Sequence, residues 1–272
     1  MSLDHGPEIP SRLEPGERPM SPRRVARTEL VDPDRIPQVE LGNIARTDIE
    51  NWRSPATMAA AAAEVIRGAI FEGKLRPGDQ IPVEDIMALM GISRLPVREA
   101  VNSLRHEGLV RVEPYRGSFV GPFNEEILQE HWHIVGLLQG YAAARMAEIG
   151  DPVAIERLQS VTATLLSVST VPEVLHSTFE LPRVVNQAGG TELLRAIMRP
   201  LMGYTPRTIF DRIPDIQGIM QCHGKRVTDA IVAGDPAAAA DASCEWSRVQ
   251  GQAMIDLLRA DGVFGSSSDG HR

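Results

Sequence analysis

The chain has 272 residues, long enough on size alone for two domains, and its 43% hydrophobic but only 4% aromatic content means cores of Ala, Leu, Val, Ile and Met, a mix that favours helix over sheet. A formal net charge of −8 excludes a protein that coats nucleic acid by bulk charge, so any DNA contact has to come from a local basic face. Cys222 and Cys244 sit in no C-x-x-C or zinc-ribbon spacing, no apolar run approaches the ~20 residues that span a bilayer, and Met1 to Met20 lack the apolar core of a signal peptide; together these point to a cytoplasmic protein.

Residues 1–55 are rich in Pro, Arg, Glu and Asp and carry no sustained apolar period. They read as a disordered leader, with at most a short helix near Leu41–Trp52. Helical periodicity starts near Thr57, with Met58, Ala62, Val65, Ile66, Ala69 and Ile70 on one stripe; Gly73 ends the helix and Pro77-Gly78 turns the chain. A short helix follows over about Val83 to Met90, broken by Gly91. Ser93 opens a third helix whose Pro96 is tolerated because it lies in the first turn, and Val97, Val101 and Leu104 form its buried stripe up to Gly108. The period then changes to two. Leu109 to Glu113 and Ser118 to Val120 read as strands joined by Pro114, Tyr115, Arg116 and Gly117, so residues 56–122 have the element order of a winged helix-turn-helix.

From Asn124 to about Arg259 apolar residues recur at three and four. Breaks near Gly150-Asp151-Pro152, Val171-Pro172, Gly189-Gly190, Ile213-Pro214 and Gly234-Asp235-Pro236 divide the stretch into about six helices, giving an all-helical domain over 123–262 and a polar Gly/Ser tail within 263–272. The fold expected is mostly α: an N-terminal winged helix-turn-helix and a C-terminal helical bundle that binds an effector.

On the third helix Arg94, Arg98, Asn102 and Arg105 lie opposite the apolar stripe. Arg can clamp guanine edges or phosphates and Asn can pair bidentately with adenine. Residues at the helix start reach deepest into a major groove, and the helix N-terminus offers amides to phosphate, which singles out Ser93, Arg94 and Arg98. Arg116 and Gly117 at the hairpin tip suit close approach to the minor groove. Taken by itself, a polar face with three Arg is more readily a solvated surface.

The stretch Arg67 to Val120 resembles the GntR family of bacterial regulators. It holds I-R-G-A-I-F-E-G-K-L-R-P-G-D-Q-I, then G-I-S-R-L-P-V-R-E-A-V, then L-R-H-E-G-L-V, then R-G-S-F-V, in the family's order and spacing. The resemblance implies DNA contacts at Ser93, Arg94, Leu95, Arg98 and Gly117, to which Arg67, Pro96, Asn102 and Arg116 are added as candidates. Leu95 departs from the Thr usual in the family. That position then either gives up a hydroxyl bond to phosphate or takes up an apolar contact with a thymine methyl.

Residues from about Glu125 to Leu258 resemble the FadR-type subgroup with its effector-binding (FCD-like) helical domain. The resemblance implies a homodimer on palindromic operator DNA, a small carboxylate effector, repression relieved by that effector as the common mode with activation as the alternative, and a divalent metal such as zinc or nickel held by one Asp and three His. Matched position by position, that Asp falls on His176, the first His on Glu180, the second on His223 and the last on or beside Trp246, which cannot ligate. His176 and Glu180 share a helix face at i and i+4, and with His223 would make a two-His, one-carboxylate set; the plainer alternative is a polar histidine and a solvated charge. The family's Arg and Glu on the first bundle helix fall on Val135 and Gln139. His131 and His133, two apart on a helix, diverge and make a poor ligand pair. Tyr204, Arg207 and Arg212 are candidate effector contacts, the Arg as carboxylate clamps. The chain is expected not to be an enzyme. The rivals are a helical-bundle metalloenzyme using His176, Glu180 and His223, which leaves the Ser-Arg-Leu-Pro-Val-Arg helix unexplained, and a non-specific architectural DNA binder, which a net acidic chain suits badly.

Overall fold

A computed structural model describes residues 55–264, with side chains from residue 58 onward. The expected leader, including its short helix, lies outside the described residues, as does the tail from residue 265. The element order is α1 (Pro55–Phe71), α2 (Val83–Met90), α3 (Arg94–His106), β1 (Val110–Glu113), β2 (Gly117–Val120), α4 (Glu125–Ile149), α5 (Pro152–Ser167), α6 (Val171–Gly189), α7 (Glu192–Gly203), a 3-10 segment (Arg207–Arg212), α8 (Ile216–Val232) and α9 (Pro236–Ala260). No described helix is long and apolar enough to cross a membrane.

The first five elements form the winged helix-turn-helix. The stripe read from the sequence is the buried face of α1, with Ala62, Ile66 and Ile70 fully enclosed and only Met58 half-buried. Val97, Val101 and Leu104 of α3 close over it. Gly91 ends α2 in the left-handed region at φ 63°, so the chain can turn sharply into α3. β1 and β2 pair antiparallel from Val110↔Val120 to Glu113↔Gly117, and the segment before α2 joins this hairpin through the Gln80↔Phe119 bridge.

The bundle is built on α4 and α9, which run antiparallel: Glu125 pairs with Arg259 at 2.7 Å, Trp132 meets Gly251, and Gly136 meets Ser247. The approach is close because the facing residues are small. A Cβ on Gly251 would lie 2.5 Å from the Trp132 ring, so this glycine is what seats the indole. Helix starts follow local chemistry. Asn124 accepts from the Ile127 amide at 2.9 Å, and Asp151 and Asp235 cap α5 and α9 with Pro as the first helical residue.

Three features depart from the expected breaks. Pro172 lies in the first turn of α6, so the break precedes Val171 rather than falling on it. Pro182 and Pro200 lie inside α6 and α7. The chain also breaks again after Gly203, where Thr205-Pro206 lead into the 3-10 segment. At the C-terminal end, Val263 is buried and Phe264 packs on Phe123 at 5.9 Å between ring centroids, so these two residues belong to the core and not to the expected tail from residue 263.

Head and bundle share one apolar core. Phe71, at the end of α1 and fully buried, meets Phe123 at 4.8 Å and Tyr204 at 6.2 Å. Burying such a ring contributes roughly 1.5–3 kcal/mol.

Candidate nucleic-acid interface and bundle recess

The polar face of α3 carries Arg94, Leu95, Arg98, Asn102 and Arg105, all exposed, with Leu95 61% exposed. An apolar residue that open on a reading helix is spare for contact outside the chain. Arg94 is paired with Glu84 of α2, but both side chains are more than 60% exposed, so the pair holds weakly and yields readily to a phosphate. Arg98 has no side-chain partner among the described residues. Ser93 is the N-cap of α3, yet its hydroxyl makes no capping bond, which leaves both the hydroxyl and the first-turn amides open to an anion.

Two expected DNA-binding residues are corrected. Pro96 is buried under α3 and is a packing residue. Arg67 is 4% exposed; its guanidinium is paired with Glu64 and donates to Glu107 at 2.6 Å, itself 8% exposed. The expectation failed because residue 67 lies beside the apolar stripe, and a carboxylate from the end of α3 reaches over to meet it there. Burial raises the Glu64 carboxyl above the usual carboxylate range, and Arg67 offsets only part of that rise. Arg67 ties α1 to α3 instead of facing DNA.

At the wing tip Glu113 accepts from Arg116 at 2.5 Å and pairs with Arg111, and both guanidinium groups lie over the Phe119 ring, at 5.2 Å for Arg111 and 5.7 Å for Arg116. Gly117 stands at φ 115°, a backbone conformation that side chains with a Cβ rarely adopt, so the position favours glycine. Tyr115 is a candidate that sequence reasoning misses. It holds φ 63°, is fully exposed, and projects beside Arg116. The signal available for it is an aromatic ring in a Pro-x-x-Gly turn, where a buried use has no room.

The bundle encloses a recess of about 490 Å³, counted to its open mouth. Its walls come from α4 (His131, Trp132, Val135, Gln139), α6 (Thr178, Phe179, Pro182), the end of α7 and the residues after it, the 3-10 segment (Phe210) and α9 (Trp246, Gln250). No Asp, Glu, Lys or Arg is among the described lining residues. Burial pushes the His131 imidazole down to about 4, so it is neutral at physiological pH. Pro182 has no amide to donate, which leaves the Thr178 carbonyl without its helical partner at the recess wall.

The expected ligand sets are not assembled. Among the described residues no group of three His, Cys, Asp or Glu is placed to hold a metal. His176 is exposed on α6, Glu180 is paired with Arg183 at 3.1 Å, and His223 lies on α8 outside the recess lining, so a divalent metal does not fit these residues as a set. Burial, with Arg226 adding to it, lowers the His223 imidazole, whose Nδ1 has no partner. Arg212 is paired with Asp261 at 2.6 Å and pins the 3-10 segment to the end of α9. Arg207 lies over the ring of Phe179, 4.7 Å from its centroid, and is not among the residues that line the recess. Tyr204 is buried between His131 and Phe71, one layer behind the wall. The carboxylate effector expected from these residues therefore meets no cation in the recess.

A helix-turn-helix with a basic reading helix and a Gly-tipped wing, joined to a helical bundle, defines a DNA-binding transcription regulator. The family model for bacterial regulatory proteins of the gntR family matches residues 58–120. An uncharacterised HTH-type transcriptional regulator of Agrobacterium vitis, from the TAR-I ttuE-ttuC' intergenic region, is 36% identical over 129 residues, covering 43% of this chain and 75% of that protein. An uncharacterised HTH-type regulator of Mycobacterium tuberculosis (strain H37Rv) is 28% identical over 193 residues, covering 71% of this chain and 79% of its own. Among solved structures, E. coli McbR/YncC shares the fold with a TM-score of 0.53 at 18% identity, covering 75% of this chain and 97% of that one. The chain belongs to the GntR family of bacterial transcription regulators.

Proposed function

We propose that this regulator is a repressor that binds a palindromic operator as a homodimer, and that a small molecule in the bundle recess sets its operator affinity. In this reading residues 56–122 read DNA and residues 123–262, an FCD-like domain, sense the effector and pair the subunits. Repression is the mode the family resemblance implies.

One observation carries the control step. His131 lines the recess and also stacks on Tyr204, and Tyr204 meets Phe71 at the end of α1. A ligand that moves the recess wall therefore presses, two rings later, on the helix that packs against α3. Close-packed rings have few alternative arrangements, so a small shift at His131 favours a discrete displacement of the head over a graded one. The ligand changes operator affinity by as much as it prefers one head placement to the other. For pairing, α4 leaves Ile134, Leu137 and Tyr141 exposed along one line, an apolar row that suits a second copy.

The test is fluorescence anisotropy with the full chain, the DNA upstream of its own gene and a scrambled duplex of equal length, in moderate salt. A preference of about a hundredfold or more for the upstream duplex is expected. Equal affinity for both removes specific self-regulation.

A further inference from the structure

The recess walls hold four polar atoms that have no hydrogen-bond partner: Trp132 Nε1, Trp246 Nε1, Thr178 Oγ1 and Thr205 Oγ1. Each belongs to a residue no more than 7% exposed. Buried polar groups are normally paired, and single exceptions call for a reason; four around one recess are a pattern. An indole N–H can only donate, and a threonine hydroxyl can donate as well as accept. The two amides nearby are also under-used. Gln139 donates to the Met202 sulfur at 3.4 Å and Gln250 to the Met220 sulfur at 3.0 Å, both weak acceptors. The recess is thus rich in unspent donors.

Its charge is as informative. No ionised side chain lines it, so an ionised carboxylate entering it would lose its hydration without gaining a counter-ion, at a heavy desolvation cost. An uncharged acceptor loses far less. The remaining surface is aromatic, with the two indoles and Phe179 and Phe210 presenting flat apolar area.

We infer that the recess takes an uncharged aromatic carbonyl compound (an ester, amide, lactone or aldehyde) whose oxygens accept from the Trp132, Trp246, Thr178 and Thr205 donors, and that it binds without a metal. This rests on the reading of the recess as the effector site, and it replaces the carboxylate expected from family resemblance with a neutral acceptor.

The experiment is isothermal titration calorimetry of the full chain with matched pairs: coumarin against coumarin-3-carboxylate, and benzamide against benzoate, each with and without added zinc. The neutral member of each pair is expected to bind at least about tenfold tighter than its carboxylate, with no gain from zinc. Thr178→Val and Thr205→Val are nearly isosteric, and each is expected to weaken the neutral probe about fivefold. Neither should lower the melting temperature of the free protein, because each removes a buried hydroxyl that has no partner. Carboxylates that bind as well as or better than their neutral partners overturn the inference, as do neutral probes that give no heat at millimolar concentration, or valine variants that bind them unchanged. Operator anisotropy in the same solutions separates this from the control reading. Release of DNA by the carboxylates alone overturns the inference and leaves ligand control standing. Tight neutral binding with unchanged operator affinity supports the inference and removes ligand control at this site.

Discussion

The imidazole of His131 lies on the ring of Tyr204, with centroids 4.5 Å apart and planes inclined by 25°. Both groups are buried, and burial shifts each toward its neutral form: His131 down to about 4 and Tyr204 up to about 12, the charge of Glu107 adding to the latter. The stack is therefore a contact between two neutral rings over the whole physiological range.

A pH dependence follows from this stack. The unfolded chain takes up a proton on His131 near pH 6.5, whereas the folded chain resists it down to about pH 4. Between those values the unfolded state binds more protons, so stability is lost as the pH falls through that window. At pH 5 the His131 share of the loss is about 2 kcal/mol, taking ~1.4 kcal/mol per pH unit. Urea midpoints at pH 7.5 and pH 5 for the wild type and His131→Gln measure it. The variant should lose about 2 kcal/mol less than the wild type on going to pH 5. Equal losses would show that His131 titrates normally in the fold.

Arg67 gives a prediction that separates packing from DNA contact. Its removal strands Glu107, which is 8% exposed and bonded to it at 2.6 Å. Breaking a buried pair by deleting one partner costs about 3–5 kcal/mol. Arg67→Ala should therefore lower the unfolding free energy by that order. In the folded fraction the dependence of operator affinity on salt concentration should stay unchanged, since the buried guanidinium reaches no phosphate. A reduced salt slope with unchanged stability would return Arg67 to the DNA interface.

The exposed cations of the head should behave in the opposite way. Arg98→Ala and Arg116→Ala touch no buried group, so melting temperatures should move little. Each cation withdrawn from a phosphate should lower the slope of log affinity against log salt by about 0.9. Arg94→Ala should also cost specificity if it reaches a base edge, by about 1–3 kcal/mol at that position. Leu95→Thr replaces an apolar side chain with a hydroxyl and should shift preference at one base pair while total affinity changes less. Titrations at several salt concentrations on operator and scrambled DNA read all of these. Slopes identical to the wild type for both Arg98→Ala and Arg116→Ala would remove the assigned face from the interface.

The reading face is legible in the sequence because helical spacing alone separates Arg94, Arg98 and Asn102 from Val97, Val101 and Leu104. Helix starts are legible where Asp-Pro or an Asn cap writes them into a few residues, as at 151 and 235. What stays hidden depends on residues distant in the chain. Arg67 reads as a surface cation because its partner Glu107 lies 40 residues away. The recess depends on Gly251 admitting the Trp132 indole, a contact no local pattern announces. The expected metal set fails for a related reason: helical spacing does put His176 and Glu180 on one helix, but it says nothing about whether α8 brings His223 to them. The divergence expected of His131 and His133 holds, with the first buried at the recess and the second exposed. The functional weight of His131 comes from Tyr204, which the sequence suggests as an effector contact and the fold sets one layer behind the recess wall.

Subunit pairing is open to the most direct measurement. Ile134, Leu137 and Tyr141 are 38%, 53% and 52% exposed and recur on one side of α4, opposite the face that meets α9. Three large apolar groups in a row favour burial against another copy. Each chain weighs 29.7 kDa, so sedimentation separates monomer from dimer cleanly. The wild type should sediment as a dimer at micromolar concentration, and Leu137→Glu, which sets a charge in the middle of the row, as a monomer with an unchanged circular dichroism spectrum. Operator affinity should then fall by at least about tenfold, because one head can engage only one half-site. If Leu137→Glu remains a dimer, the pairing face lies elsewhere on the molecule; if the wild type is monomeric on its operator as well as free, the homodimer reading fails.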